Sequence, residues 1–136
     1  SDRGMMFMES MYGIEDQVYN NRVLIHSGYG GTILLDDQFV QAHQIGNQLE
    51  VISENQLKDS HGNIIKTKKA ILPQLTIGKH RFTDVPIGFF AGALGKQRIS
   101  VLGCGLLKRF NILIDQKNDL LYLQPNQFVD HPFGNS

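Results

Sequence analysis

An imidazole, a hydroxyl and three glycines stand together in the run Val23-Leu24-Ile25-His26-Ser27-Gly28-Tyr29-Gly30-Gly31-Thr32-Ile33-Leu34-Leu35. His26 can take or give a proton near neutral pH, since the reference pKa of an imidazole is about 6.5. Ser27 places a hydroxyl beside it. Gly28, Gly30 and Gly31 fit a tight loop whose backbone amides approach whatever the imidazole faces. Three glycines in four positions also suggest a phosphate-binding loop. No lysine follows at the required spacing, however, and Thr32-Ile33-Leu34-Leu35 reads as a strand rather than a phosphate-capping helix. His26 has a second reading, a polar side chain filling its slot and hydrogen-bonded to nearby backbone, and residue types alone leave both open.

Other reactive side chains are scattered. His43, His61, His80 and His131 lack the i, i+4 pairing or cysteine clustering of metal sites, so the sequence implies no metal and no cofactor. Cys104 is the single cysteine and cannot form an internal disulfide; between Gly103 and Gly105, ahead of Leu106 and Leu107, it reads as a small core residue. Asp115, in Asp115-Gln116-Lys117-Asn118-Asp119, reads as a turn residue, and Asp36 or Asp37 as the cap of a short helix reaching Ile45.

The elements that must position these groups are short strands. Fourteen glycines punctuate the apolar runs, the pattern of an all-β chain. Met5 to Asn20 reads as two strands, or an edge strand and a loop, with a turn at Glu15-Asp16. Leu49 to Ser53 and Ile64 to Thr67 enclose a hairpin tip at His61-Gly62-Asn63, where glycine and asparagine accept positive φ. Ala70 to Gly78 and Phe82 to Phe90 form a second hairpin around Gly78-Lys79-His80-Arg81. Phe89 and Phe90 could line a cleft, although core packing is the commoner fate. The tail from Asp130 to Ser136 has no periodicity and is expected to fray.

A chain of 136 residues, 41% apolar, suits one core. Thirteen basic and thirteen acidic residues create no basic face, so nucleic acid is not an expected partner. No stretch approaches the roughly 18 apolar residues of a membrane span, and Ser1-Asp2-Arg3-Gly4 has no signal-peptide layout. The absence of an initial methionine leads us to expect a piece of a longer protein.

An apolar strand leading into His26-Ser27-Gly28 resembles the active-site loop of the retropepsin-like and pepsin-like aspartic peptidases, with histidine where that family has its catalytic aspartate. Ile99-Ser100-Val101-Leu102-Gly103 resembles the family's second signature, a strand threaded beside the loop, followed by a short helix, Cys104 to Phe110. Asn111-Ile112-Leu113-Ile114-Asp115 and Leu120 to Pro125 resemble its closing hairpin. The resemblance implies an all-β, retropepsin-like closed acid-protease lobe with one or two short helices. It divides the chain into a lead-in segment 1–17, the lobe 18–125 and a tail 126–136.

The same resemblance assigns His26, Ser27 and Gly28 to the catalytic triplet, and Gly30, Ser60, His61 and Gly62 to substrate binding, the last three in a flap, Lys58 to Asn63, that closes over an extended peptide. It implies that Ser27 bonds across to a partner lobe. Since one lobe carries one triplet and the reaction needs two carboxyls sharing a proton, it also implies that partner: an identical chain, or a second lobe in the full-length protein. Two imidazoles in a symmetric pair would be inactive, whereas His26 opposite an aspartate could hold one proton between them. The alternative is a non-catalytic module that keeps the fold for peptide binding or assembly. Bacterial relatives of this type are often exported, which implies a cell-envelope or secreted location.

Overall fold

The computed structural model describes residues 5–58, 60–91, 97–118 and 120–134. Asp59 of the first hairpin tip, Gly92 and Ala93, Asp119 and the two termini, 1–4 and 135–136, lie outside the described residues. Strand β1 (Phe7–Ile14) turns at Glu15-Asp16 into β2 (Gln17–Ile25), Glu15 adopting φ 53°. Two strands therefore form where the sequence allowed one or two. β3 is Ile33–Leu35, β4 Glu50–Lys58, β5 Ile64–Ile77 and β6 His80–Ala91. Gly62 (φ 81°) turns the first of the two later hairpins and Gly78 (φ 60°) the second, a conformation that only glycine reaches without cost. β7 (Ser100–Leu102) precedes β8 (Phe110–Asp115) and β9 (Leu120–Pro125).

The helices are shorter than their sequence patterns. Asp36 caps α1 (Asp37–Ala42), its Oδ1 accepting from Phe39 N at 2.7 Å. Gln44 then enters the left-handed region at φ 53°, which ends the expected continuous helix to Ile45 and starts a separate turn, α2 (Ile45–Gln48). α3 spans only Cys104–Leu107, because Phe110 is already paired in β8.

Strand order β1-β2-β7-β3-β6-β5, with β1 also paired to β5, closes a six-stranded barrel. On its edge away from β6 the long β5 serves two neighbours: residues 74–77 pair with β1 and residues 64–71 with β4, so the β4–β5 hairpin diverges from the barrel. β7 slips between the two strands of the histidine loop. It runs parallel to β2 (Leu24↔Val101) and antiparallel to β3 (Leu34↔Val101), as the second-signature resemblance implied. Val23, Ile33, Leu35, Leu102 and Leu106 are consequently buried together with Tyr12 and Phe89. Of the phenylalanine pair, Phe89 joins the core and Phe90 lines a cavity beside α1.

A polar chain crosses this core. Ser100 Oγ donates to Asp36 Oδ2 (2.8 Å) and accepts from Asp36 N (2.8 Å) and Asn21 Nδ2 (2.9 Å). Asn21 Nδ2 also reaches Tyr12 OH (3.1 Å), which shares a 2.8 Å hydrogen bond with Ser10 Oγ. Every link of the chain thus has a partner, as burial requires. Burial pushes the Tyr12 phenol up to about 12, against the opposing hydrogen bonds from Ser10 and Asn21. Because the folded pKa lies above the unfolded value near 10, the folded state holds the proton more tightly and this stability is complete below pH 10. It is lost as pH rises from 10 through 12, to a total of about 2–3 kcal/mol. Urea denaturation at about pH 9 and about pH 11.5 should therefore give a large alkaline loss for the wild type and a smaller one for Tyr12→Phe.

The tail does not fray over residues 126–134. Arg109 is 2% exposed, and its guanidinium donates to the carbonyls of Gly105 (2.9 Å), Phe128, Val129, His131 and Pro132. Its Cζ lies 3.9 Å from the centroid of the Phe133 ring, which meets Phe82 edge-on at 5.9 Å. A planar fork with five donors suits a returning chain that offers only carbonyls.

Candidate functional site

The histidine loop is held by the strand and helix it straddles. His26 N donates to Leu102 O (2.9 Å), and Tyr29 N donates back to His26 O (3.1 Å), closing a turn over Ser27 and Gly28. The first amides of α3 and the one before them then bind the loop's carbonyls: Gly103 N to Thr32 O (2.7 Å), Cys104 N to Tyr29 O (2.7 Å), Gly105 N to Gly31 O (2.9 Å). These are the donors that a helix start cannot satisfy internally. A neighbouring strand is tied in through Thr32 Oγ1, which donates to Pro86 O.

His26, Ser27 and Gly28 are brought together and all three are exposed. His26 Nδ1 accepts a long bond from Gly28 N (3.4 Å). A Cβ on Gly28 would stand 2.8 Å from His26 Cε1, so a side chain here would turn the exposed imidazole aside. None of Gly28, Gly30 and Gly31 adopts positive φ. Tyr29 fills the room that Gly31 leaves: a Cβ there would meet its hydroxyl at 2.5 Å, and one on Gly103 would meet its ring Cδ2 at 2.5 Å. Burial raises the Tyr29 phenol above its ordinary value, keeping the hydroxyl protonated.

Gly30 lines a cavity of about 420 Å³ beside the loop, together with Tyr29, Thr32, Lys69, Lys108 and Arg109. Ser60, His61 and Gly62 stand exposed at the tip of the β4–β5 hairpin, on a different element. Cys104 is exposed, which corrects its reading as a core residue. The one-turn helix puts Leu106 and Leu107 inward and presses the Gly105 backbone against Gly31, leaving position 104 to face out. Asp115 behaves as a turn residue: Asn118 donates to both its oxygens, from N (3.2 Å) and Nδ2 (2.9 Å), and holds the carboxyl below its ordinary pKa. Among the described residues no group of three or more His, Cys, Asp or Glu side chains could hold a metal ion. No helix among them is long and apolar enough to cross a membrane.

Sequence reasoning missed Tyr29, Lys69, Lys108 and Arg109. Tyr29 carried a usable signal, since a large ring among three glycines needs their empty space. The lysines and the arginine carried none, because surface placement is the ordinary fate of such residues.

No protein-family model matches the chain, and no curated protein sequence matches it. A solved structure is similar: the crystal structure of a retropepsin-like aspartic protease from Rickettsia conorii, at 23% sequence identity and a TM-score of 0.58, over 90% of this chain and 84% of that one. At that identity the likeness is one of fold. The chain has the all-β, retropepsin-like fold that its sequence led us to expect.

Proposed function

We propose that this retropepsin-like fold serves as one lobe of a paired, aspartic-peptidase-like protein that holds an extended peptide against the His26 loop and lacks the carboxyl needed to cut it. The exposed His26-Ser27-Gly28 turn, held over the end of β7 by α3, carries this reading. A dyad of the aspartic-peptidase kind needs two carboxyls sharing one proton to activate water. Two imidazoles offer no negative charge for that water. Paired with a copy of itself, the chain binds peptide without hydrolysing it. Opposite a lobe that brings an aspartate, His26 and that carboxylate would hold one proton between them and complete a mixed dyad.

The closing hairpin supports the pairing. β8 and β9 form a sheet of their own, with an unpaired edge on either side among the described residues. Leu113 (54% exposed), Ile114 (55%) and Tyr122 (52%) project from it, on both of its faces. Isolated two-stranded ribbons are marginal in water, and large exposed aliphatic side chains on an open sheet edge are pairing surfaces. A second hairpin related by a two-fold axis would extend the ribbon to four strands and set its own apolar side chains beside these. Ser27, exposed in the turn, could bond across the same axis. Sedimentation equilibrium should find a dimer at about 50 μM and a monomer for Leu113→Lys combined with Tyr122→Lys, since charges on the seam oppose association. A monomeric wild type at that concentration removes the self-pairing.

A further inference from the structure

The cavity beside the histidine loop has a one-sided charge. Lys69, Lys108 and Arg109 line it, and among the described residues no aspartate or glutamate does. Asp130, the acid whose charge reaches Arg109, is outside the lining. The Tyr29 hydroxyl sits at the floor, where the missing side chains of Gly31 and Gly88 leave room: a Cβ on either would approach it to 2.5 or 3.4 Å. Another cavity, of about 430 Å³, differs in carrying a carboxylate, Asp37, alongside Lys68. A walled space with cations, a neutral phenol that can donate, and no aspartate or glutamate among its described lining residues favours an anionic guest.

From this geometry, and resting on the peptide-binding reading above, we propose that the Tyr29–Lys69–Lys108 cavity is a specificity subsite for an acidic side chain of the bound peptide. Lys108 and Lys69 supply charge, and the Tyr29 hydroxyl supplies a directed donor. Arg109 is a positioning residue: its bonds to the tail carbonyls bring Phe133 and Gly134 to the cavity rim.

The test uses the full chain and fluorescent peptides capped at both ends, so that a side chain carries the only carboxylate. Pairs differ by Glu against Gln at one position, scanned along the peptide, and binding is read by anisotropy. At one position the Glu peptide should bind about tenfold more tightly than its Gln partner at low salt, the range of a charge-assisted hydrogen bond. That advantage should shrink at about 0.5 M salt. In the Lys69→Met and Lys108→Met double variant the Glu-over-Gln advantage should disappear. Equal binding of Glu and Gln peptides at every position overturns the subsite and leaves peptide binding standing. Binding of neither peptide overturns the peptide reading and the subsite with it.

Discussion

Replacing Gly103 by alanine is expected to cost about 3 kcal/mol or more, the upper end of what overpacking does. A Cβ at this position would stand 2.5 Å from Tyr29 O and closer still to Gly31 O. Those are backbone atoms in the loop that α3 holds, and they cannot swing aside as the end of a flexible side chain can. The Thr32, Tyr29 and Gly31 carbonyls would all be pushed from their donors at residues 103, 104 and 105. Gly30→Ala is the control, because a Cβ there meets nothing within 4 Å and should change stability by no more than about 0.5 kcal/mol. Urea denaturation of the two variants checks this, and a Gly103→Ala protein as stable as the control would mean that the loop yields.

Arg109→Met is expected to cost about 3 kcal/mol and to release the tail, because the methionine fills part of the space but loses the charged donor shared by the Phe128, Val129, His131 and Pro132 carbonyls, and hydrogen bonds to a charged group contribute about 1.5–3 kcal/mol. Phe133 would also lose the cation above its ring. Arg109→Lys should rescue little, since one ammonium cannot span five carbonyls set around a planar fork. Limited proteolysis should then cut within 126–134 in both variants while the barrel survives. Tails as resistant as the wild type's would contradict the clamp.

What the sequence made legible was local. Glu15-Asp16, Gly62 and Gly78 announce their turns because a tight reversal demands positive φ or a short polar pair, and each is found at the predicted hairpin. The apolar runs of β5 and β6 declared themselves through length and branching. The threading of β7 beside the histidine loop was legible only through resemblance, because nothing in Ser100-Val101-Leu102 says which strands it will separate. The misses depend on distant partners. Arg109 reads as a solvated helix residue until the tail returns to it with its carbonyls, and Cys104 reads as core until the Gly31 backbone takes the inner side of α3. In the candidate site His26, Ser27 and Gly28 are neighbours in sequence, whereas the cavity walls come from β5, from the residues after α3 and from the tail, which no local pattern unites.

Restoring the acid tests the proposed function most directly. His26→Asp puts a carboxyl ahead of Ser27 and Gly28 in each of two paired copies, which places two carboxyls at the dyad and should allow them to share a proton. Peptide cleavage measured between about pH 3 and pH 8 is expected to be absent in the wild type and in His26→Ala, and to appear in His26→Asp with an acidic optimum, as a shared-proton carboxyl pair requires. Cleavage by the wild type that His26→Ala abolishes, or a folded, dimeric His26→Asp protein as inert as the wild type, would contradict a lobe that lacks only its carboxyl.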